Sequence, residues 1–79
     1  MPQSGTITIP EESPLTQNPY TLTFTSSYSG TPKVSATVGG STPKIVALDN
    51  VTTSGMDIWL FNTDGTLTSG TVYWFAEGV

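Results

Sequence analysis

The chain has no cysteine and no histidine, and it also lacks arginine, so Lys33 and Lys44 are its only basic side chains. Without Cys, no disulfide can supplement the core, and without Cys or His the usual zinc ligand sets are excluded. The missing His removes the one side chain that ordinarily titrates near neutrality. With Cys gone as well, the common pairings of a nucleophile with a base cannot be assembled. The expectation is a protein that is not an enzyme, holds no metal and needs no cofactor. Two bases stand against six acids, a net charge of −4. Phosphate backbones demand clustered Lys and Arg, so nucleic acid is excluded as a partner. An anionic membrane surface is excluded on the same ground. No apolar run approaches the roughly 20 residues that span a bilayer. Met1–Gly5 shows neither a basic n-region nor an apolar h-region, so no secretory signal is expected.

The composition points instead to a small β protein. The chain carries 15 Thr and 9 Ser, with eight Gly and six Pro as punctuation. Thr favours solvated faces of strands. At 79 residues the chain makes one domain. A domain this size buries only about 60–65% of its unfolded surface. With disulfides and zinc closed off, oligomerisation is the remaining common supplement for so small a core.

In chain order, Gly5 to Pro10 alternates Ile7 and Ile9 with Thr6 and Thr8, a short strand ended by Pro10. Residues 11–19 hold Pro14 and Pro19 and no periodicity; they read as a loop or as a stiff arm lying on a neighbouring subunit. Tyr20 to Thr25 sets Tyr20, Leu22 and Phe24 on one face and three threonines on the other. Lys33 to Val38 turns Val34, Ala36 and Val38 inward. Gly39-Gly40 then supplies a tight connection to Lys44–Leu48, an apolar run that covers both faces. Met56 to Phe61 places Ile58 and Leu60 on one face and Trp59 and Phe61 on the other. Asp64-Gly65 is a hairpin signal, and Ser69-Gly70 breaks the chain before the last strand. Six short strands with no helix predict a small antiparallel sandwich or flattened barrel. Two units are expected, 1–19 as strand and arm and 20–79 as the sandwich.

The closing run, Thr71 to Val79, is the densest apolar and aromatic stretch. Alternation puts Val72, Trp74 and Ala76 on one face and Tyr73 and Phe75 on the other, so both faces are apolar. Trp74 is expected in the core beside Leu22 and Phe24. The strands Met56–Phe61 and Thr71–Ala76 share this two-faced character and are expected to pair as hairpin neighbours. Their outward aromatics, Trp59, Phe61, Tyr73 and Phe75, are then the candidate oligomer interface.

Other features are weaker. Asn62, Asp64 and Thr66 have a metal-like spacing but lack a downstream carboxylate, and a hairpin turn explains them better. Asn50-Val51-Thr52 fits a glycosylation sequon, but a turn role for Asn50 is favoured. Glu11 and Glu12 are loop neighbours, not opposed carboxylates. Ser54 before Gly55 has no base to activate it. No catalytic residue is expected.

Several segments together are similar to the H-type lectin domain family, found in discoidin C-terminal domains and snail agglutinins. They are Phe24, Thr31-Pro32-Lys33-Val34, Val51-Thr52-Thr53-Ser54-Gly55-Met56 and the closing Trp74-Phe75-Ala76-Glu77-Gly78. The resemblance spans about residues 20–78. It implies a six-stranded sandwich and a homotrimer with the closing strand near its axis. Family members bind sugar between subunits with polar and charged residues, commonly Asp and Arg; with no Arg here, no sugar contact carries over. Similar domains also occur in tailed-phage structural proteins. The expectation is a non-enzymatic trimeric virion component, in the capsid decoration or the tail, made in the host cytoplasm and contacting other virion proteins. The alternative is a lectin module recognising host glycans.

Overall fold

Alternation does become pleat. The computed structural model describes residues 1–11, 18–40 and 42–79. Six strands form: β1 Pro2–Ile9, β2 Tyr20–Thr23, β3 Lys33–Gly39, β4 Lys44–Asp49, β5 Gly55–Asn62 and β6 Gly70–Glu77. They make two three-stranded antiparallel sheets, β1-β6-β3 and β2-β5-β4. The sheets pack their apolar faces together in a sandwich-like arrangement. Ile7 and Ile9 of β1 and Val72 and Ala76 of β6 meet Leu22, Met56, Ile58 and Leu60 of the other sheet in one buried cluster. β1 pairs with β6 over its whole length, so the N-terminal strand is part of the sandwich. The expected arm falls largely on residues 12–17, outside the described residues.

One expectation about topology is overturned. β5 and β6 are not hairpin neighbours; each is the central strand of its own sheet. The two most apolar strands take the two places where both backbone edges are hydrogen-bonded and one face is fully covered. The Asp64-Gly65 turn does form. Asn62 N–H donates to Thr66 O at 2.7 Å, and Gly65 adopts φ 91°. It leads only to a single bridge, Phe61 to Leu67, before the chain crosses to the other sheet at Gly70.

Trp74 points into the sandwich as expected and is half-buried. Its ring lies 5.8 Å from that of Phe24, and Phe24 meets Tyr28 edge-on at 5.4 Å. Gly5, opposite Trp74 in register, leaves room for the indole: a Cβ there would sit 2.9 Å from Nε1. Tyr28 closes the layer by donating its hydroxyl to Ala76 O at 3.2 Å.

Candidate interaction faces

The two outer sheet faces carry the side chains that the core does not use. On the β2-β5-β4 face, the register sets Ile45 opposite Phe61 and Ala47 opposite Trp59. The bridge from Leu67 places that side chain on the other flank of Phe61. Leu67, Phe61 and Ile45 therefore form one row, and Trp59 and Ala47 the next. The Trp59 and Phe61 rings are parallel within 7°, with centroids 6.1 Å apart. Ile45 is 48% exposed and Leu67 40%. Beyond this patch Asp57 faces Asp49 and accepts a hydrogen bond from Thr21 Oγ1 at 3.1 Å, a polar rim.

β5 outruns its partner β2 on this side. β2 stops pairing at Tyr20 opposite Ile58. Asn18, only 6% exposed, supplies the next link with its side chain. Its Nδ2 donates to Leu60 O at 2.7 Å and to Thr68 O at 2.9 Å, and its Oδ1 accepts from Leu60 N–H at 3.2 Å. Neither Asn18 nor Leu67 stood out in the sequence, because neither belongs to an alternating run.

The opposite face, on β1-β6-β3, is built differently. Rows across it read Thr8–Thr71–Gly39, Thr6–Tyr73–Thr37 and Ser4–Phe75–Ser35, then Pro2–Glu77–Lys33 at the end. Tyr73 is 50% exposed and Phe75 43%. Both point outward as alternation required. The four candidate interface aromatics are thus split between opposite outer faces, Trp59 with Phe61 and Tyr73 with Phe75. They do not make one contiguous patch, because β5 and β6 lie in different sheets.

Comparison with family models, with curated proteins and with solved structures finds no match. The faces must therefore be judged on their own chemistry. Among the described residues no group of three or more His, Cys, Asp or Glu side chains converges in a way that would hold a metal ion. Ser54 lies in an exposed turn, its hydroxyl 3.3 Å from that of Thr52. Asn50 adopts φ 51°, the left-handed turn conformation that Asn tolerates. Glu11 is exposed, and Glu12 lies outside the described residues.

The Asn62–Thr66 turn spends its polar groups on itself. Asp64 Oδ1 accepts from the Thr66 hydroxyl at 2.7 Å and from Thr66 N–H at 3.0 Å, while Asn62 Nδ2 donates to that hydroxyl at 3.1 Å. The Thr66 side chain first, then its backbone N–H, holds the Asp64 carboxyl below its usual value of 3.8. A depressed carboxylate stabilises the turn above its unfolded pKa, and that contribution disappears as pH falls through the lower folded value. Following the Asp64 carboxyl carbon by NMR should give a midpoint below 3.8, returning toward it in Thr66→Val. An unshifted midpoint in the native chain would remove this account of the turn.

Proposed function

We propose that the protein is a non-enzymatic structural component of a tailed-phage virion, a homotrimer of H-type-lectin-like sandwiches in the capsid decoration or the tail. The observation that carries the assembly part of this reading is the patch of Leu67, Phe61, Ile45, Trp59 and Ala47 on one outer face. Antiparallel sheets with a free face normally put polar residues there. A contiguous exposed apolar cluster with a polar rim is the signature of a contact surface. Covering it in a closed symmetric oligomer stabilises the chain by about 25 cal/mol per Å² of apolar area removed from water. The threefold symmetry and the particle come from the family resemblance; its placing of the closing strand near the axis is not part of this proposal, because the patch lies on the other sheet. The sparse charge and absent His and Cys support a non-catalytic role.

Light scattering coupled to size exclusion tests the assembly directly. Native protein should run at three times the chain mass, and Trp59→Glu should run as a monomer because it would bury a charge at the contact. A native monomer at micromolar concentration would defeat the assembly reading. Copurification with phage particles tests the virion assignment, and absence from purified virions would defeat that part.

A further inference from the structure

We infer that the free edge of β4 pairs with the same edge of a second copy of this chain, about a twofold centred on Val46, and so joins two three-stranded sheets into one. The proposed threefold contact uses the outer face of this sheet. The pairing uses its edge and does not depend on that reading. Three observations carry it.

The first is a mismatch between β4 and its place. An edge strand beside water ordinarily keeps one polar face. The other three edge strands do, turning Thr6, Thr21 and Thr37 outward. β4 alone is apolar on both faces: Ile45 and Ala47 are exposed outward, while Val46 and Leu48 are half-buried on the inner side. A strand of that kind suits the interior of a sheet, where β5 and β6 lie.

The second is the direction of its backbone. Asn18 takes both the N–H and the C=O of Leu60, on the side of β5 away from β4. Val46, opposite Leu60, therefore exchanges no ladder bond with it and turns its own N–H and C=O to the free edge. The alternation repeats at Lys44, opposite Asn62, and at Leu48, opposite Ile58. Asn62 spends its N–H on Thr66 O and its C=O on Gly65 N–H. Among the described residues no strand faces this edge. The register runs unbroken from Lys44 to Asp49, with no proline and no bulge to blunt it. A shallow depression of about 440 Å³ lies along Thr37, Val38, Lys44 and Val46, which leaves room for the inner side chains of an added strand.

The third is that β4 fits itself. Antiparallel pairing opposes residues of like backbone direction, so Val46 meets the partner's Val46 and Lys44 meets the partner's Leu48. Each outward N–H then finds an outward C=O. On the outer face Ile45 lies beside the partner's Ala47, large against small. The row of Leu67, Phe61 and Ile45 continues into the partner's Ala47 and the partner's Trp59. Asp49 falls opposite the partner's Pro43, so no carboxylate opposes another although each chain carries −4. No other edge strand supplies two apolar faces, so a second β4 is the complement.

A contact one strand long falls below the roughly 1,200 Å² at which stable interfaces begin, so the pairing is of the transient class. Light scattering on the full chain should show the mean mass rising by at least half between about 5 μM and about 500 μM, as for a Kd near 0.1 mM. The rise is read against whatever mass the dilute protein has; a dilute mass other than three chains counts against the threefold alone. Val46→Pro removes an N–H that points to the free edge, a place where strands tolerate proline. It should keep the native circular dichroism and lose the rise. Because the chain has no cysteine, Ile45→Cys combined with Ala47→Cys gives a second readout that needs no proline. These two positions form a pair without ladder bonds, with Cα atoms about 4.5 Å apart, within disulfide reach. Oxidation should give covalent species of two chains and none of three. Either single variant should stay unlinked, because its own copy lies a diagonal step away, beyond the roughly 7 Å limit. An unchanged mass at the higher concentration would overturn the inference. So would covalent species of three chains in the double variant, or cross-linking of a single one.

Discussion

Replacing Asn18 by Ala should lower unfolding free energy by about 3 kcal/mol or more, although the residue lies outside every strand. The side chain is nearly buried and holds both backbone groups of Leu60 together with the carbonyl of Thr68. Truncation removes three hydrogen bonds and fills their place with nothing. Each buried backbone group left without a partner costs about 1–3 kcal/mol. Leu60 is itself fully buried at the centre of the core, so water cannot reach its N–H and C=O without opening the sandwich. Continuing the β2–β5 register would set residue 18 opposite Leu60, two places beyond the Tyr20–Ile58 pair. The intervening Pro19 has no N–H to offer a ladder. The Asn18 amide does what the main chain of β2 does two residues later, offering one donor group and one acceptor. Asn18→Asp is the sharper variant, because it keeps the shape and the acceptor but loses the donor. It should also destabilise, by turning a carboxylate toward two carbonyl oxygens. Urea denaturation of both variants decides the matter. A loss below about 1 kcal/mol in Asn18→Ala would mean the clamp is not a buried one.

That residue marks where the sequence stopped being legible. Every strand could be read, because alternation is a local property: Ile7 and Ile9, Leu22 and Phe24, and Val72 and Ala76 fall on the buried side as their spacing required. The two-sided apolar character of Lys44–Leu48 and Met56–Phe61 was visible too. It became the row of Ile45 and Phe61 and the row of Ala47 and Trp59 on an outer face. Strand partnership was not visible. Whether β6 pairs with β5 or with β1 and β3 depends on which arrangement gives the two most apolar strands central places, and no window of sequence contains that competition. The Asp64-Gly65 turn misled because a turn fixes only where the chain reverses. Past Leu67 the chain leaves the sheet, so the reversal never becomes a hairpin. The consequence for the candidate faces is direct. A hairpin of β5 and β6 would have merged four aromatics into one patch. Two sheets separate them into an apolar face and a hydroxyl-lined one.

Trp74→Ala should destabilise the chain by about 3 kcal/mol, the low end for a buried Trp because this one is half-buried. For a chain this small, total stability is of the order of 4–12 kcal/mol, so the variant should melt well below the native protein. The loss alone would not show that the ring sits where it is placed. Gly5 supplies the discriminating control. A methyl added there would meet Trp74 Nε1 at 2.9 Å and its Cε2 at 3.1 Å, so Gly5→Ala should destabilise the native chain by about 1–3 kcal/mol through overpacking. Once Trp74 has been cut to Ala, the same methyl enters vacated space. Gly5→Ala should then be close to neutral, or mildly stabilising as it restrains the unfolded chain. The double variant should therefore be more stable than the sum of the two losses by about 1 kcal/mol or more, a coupling expected only of residues in contact. Additive losses would place the indole away from β1. They would also remove the Gly5–Trp74 contact as an explanation of how the N-terminal strand is held on the sandwich.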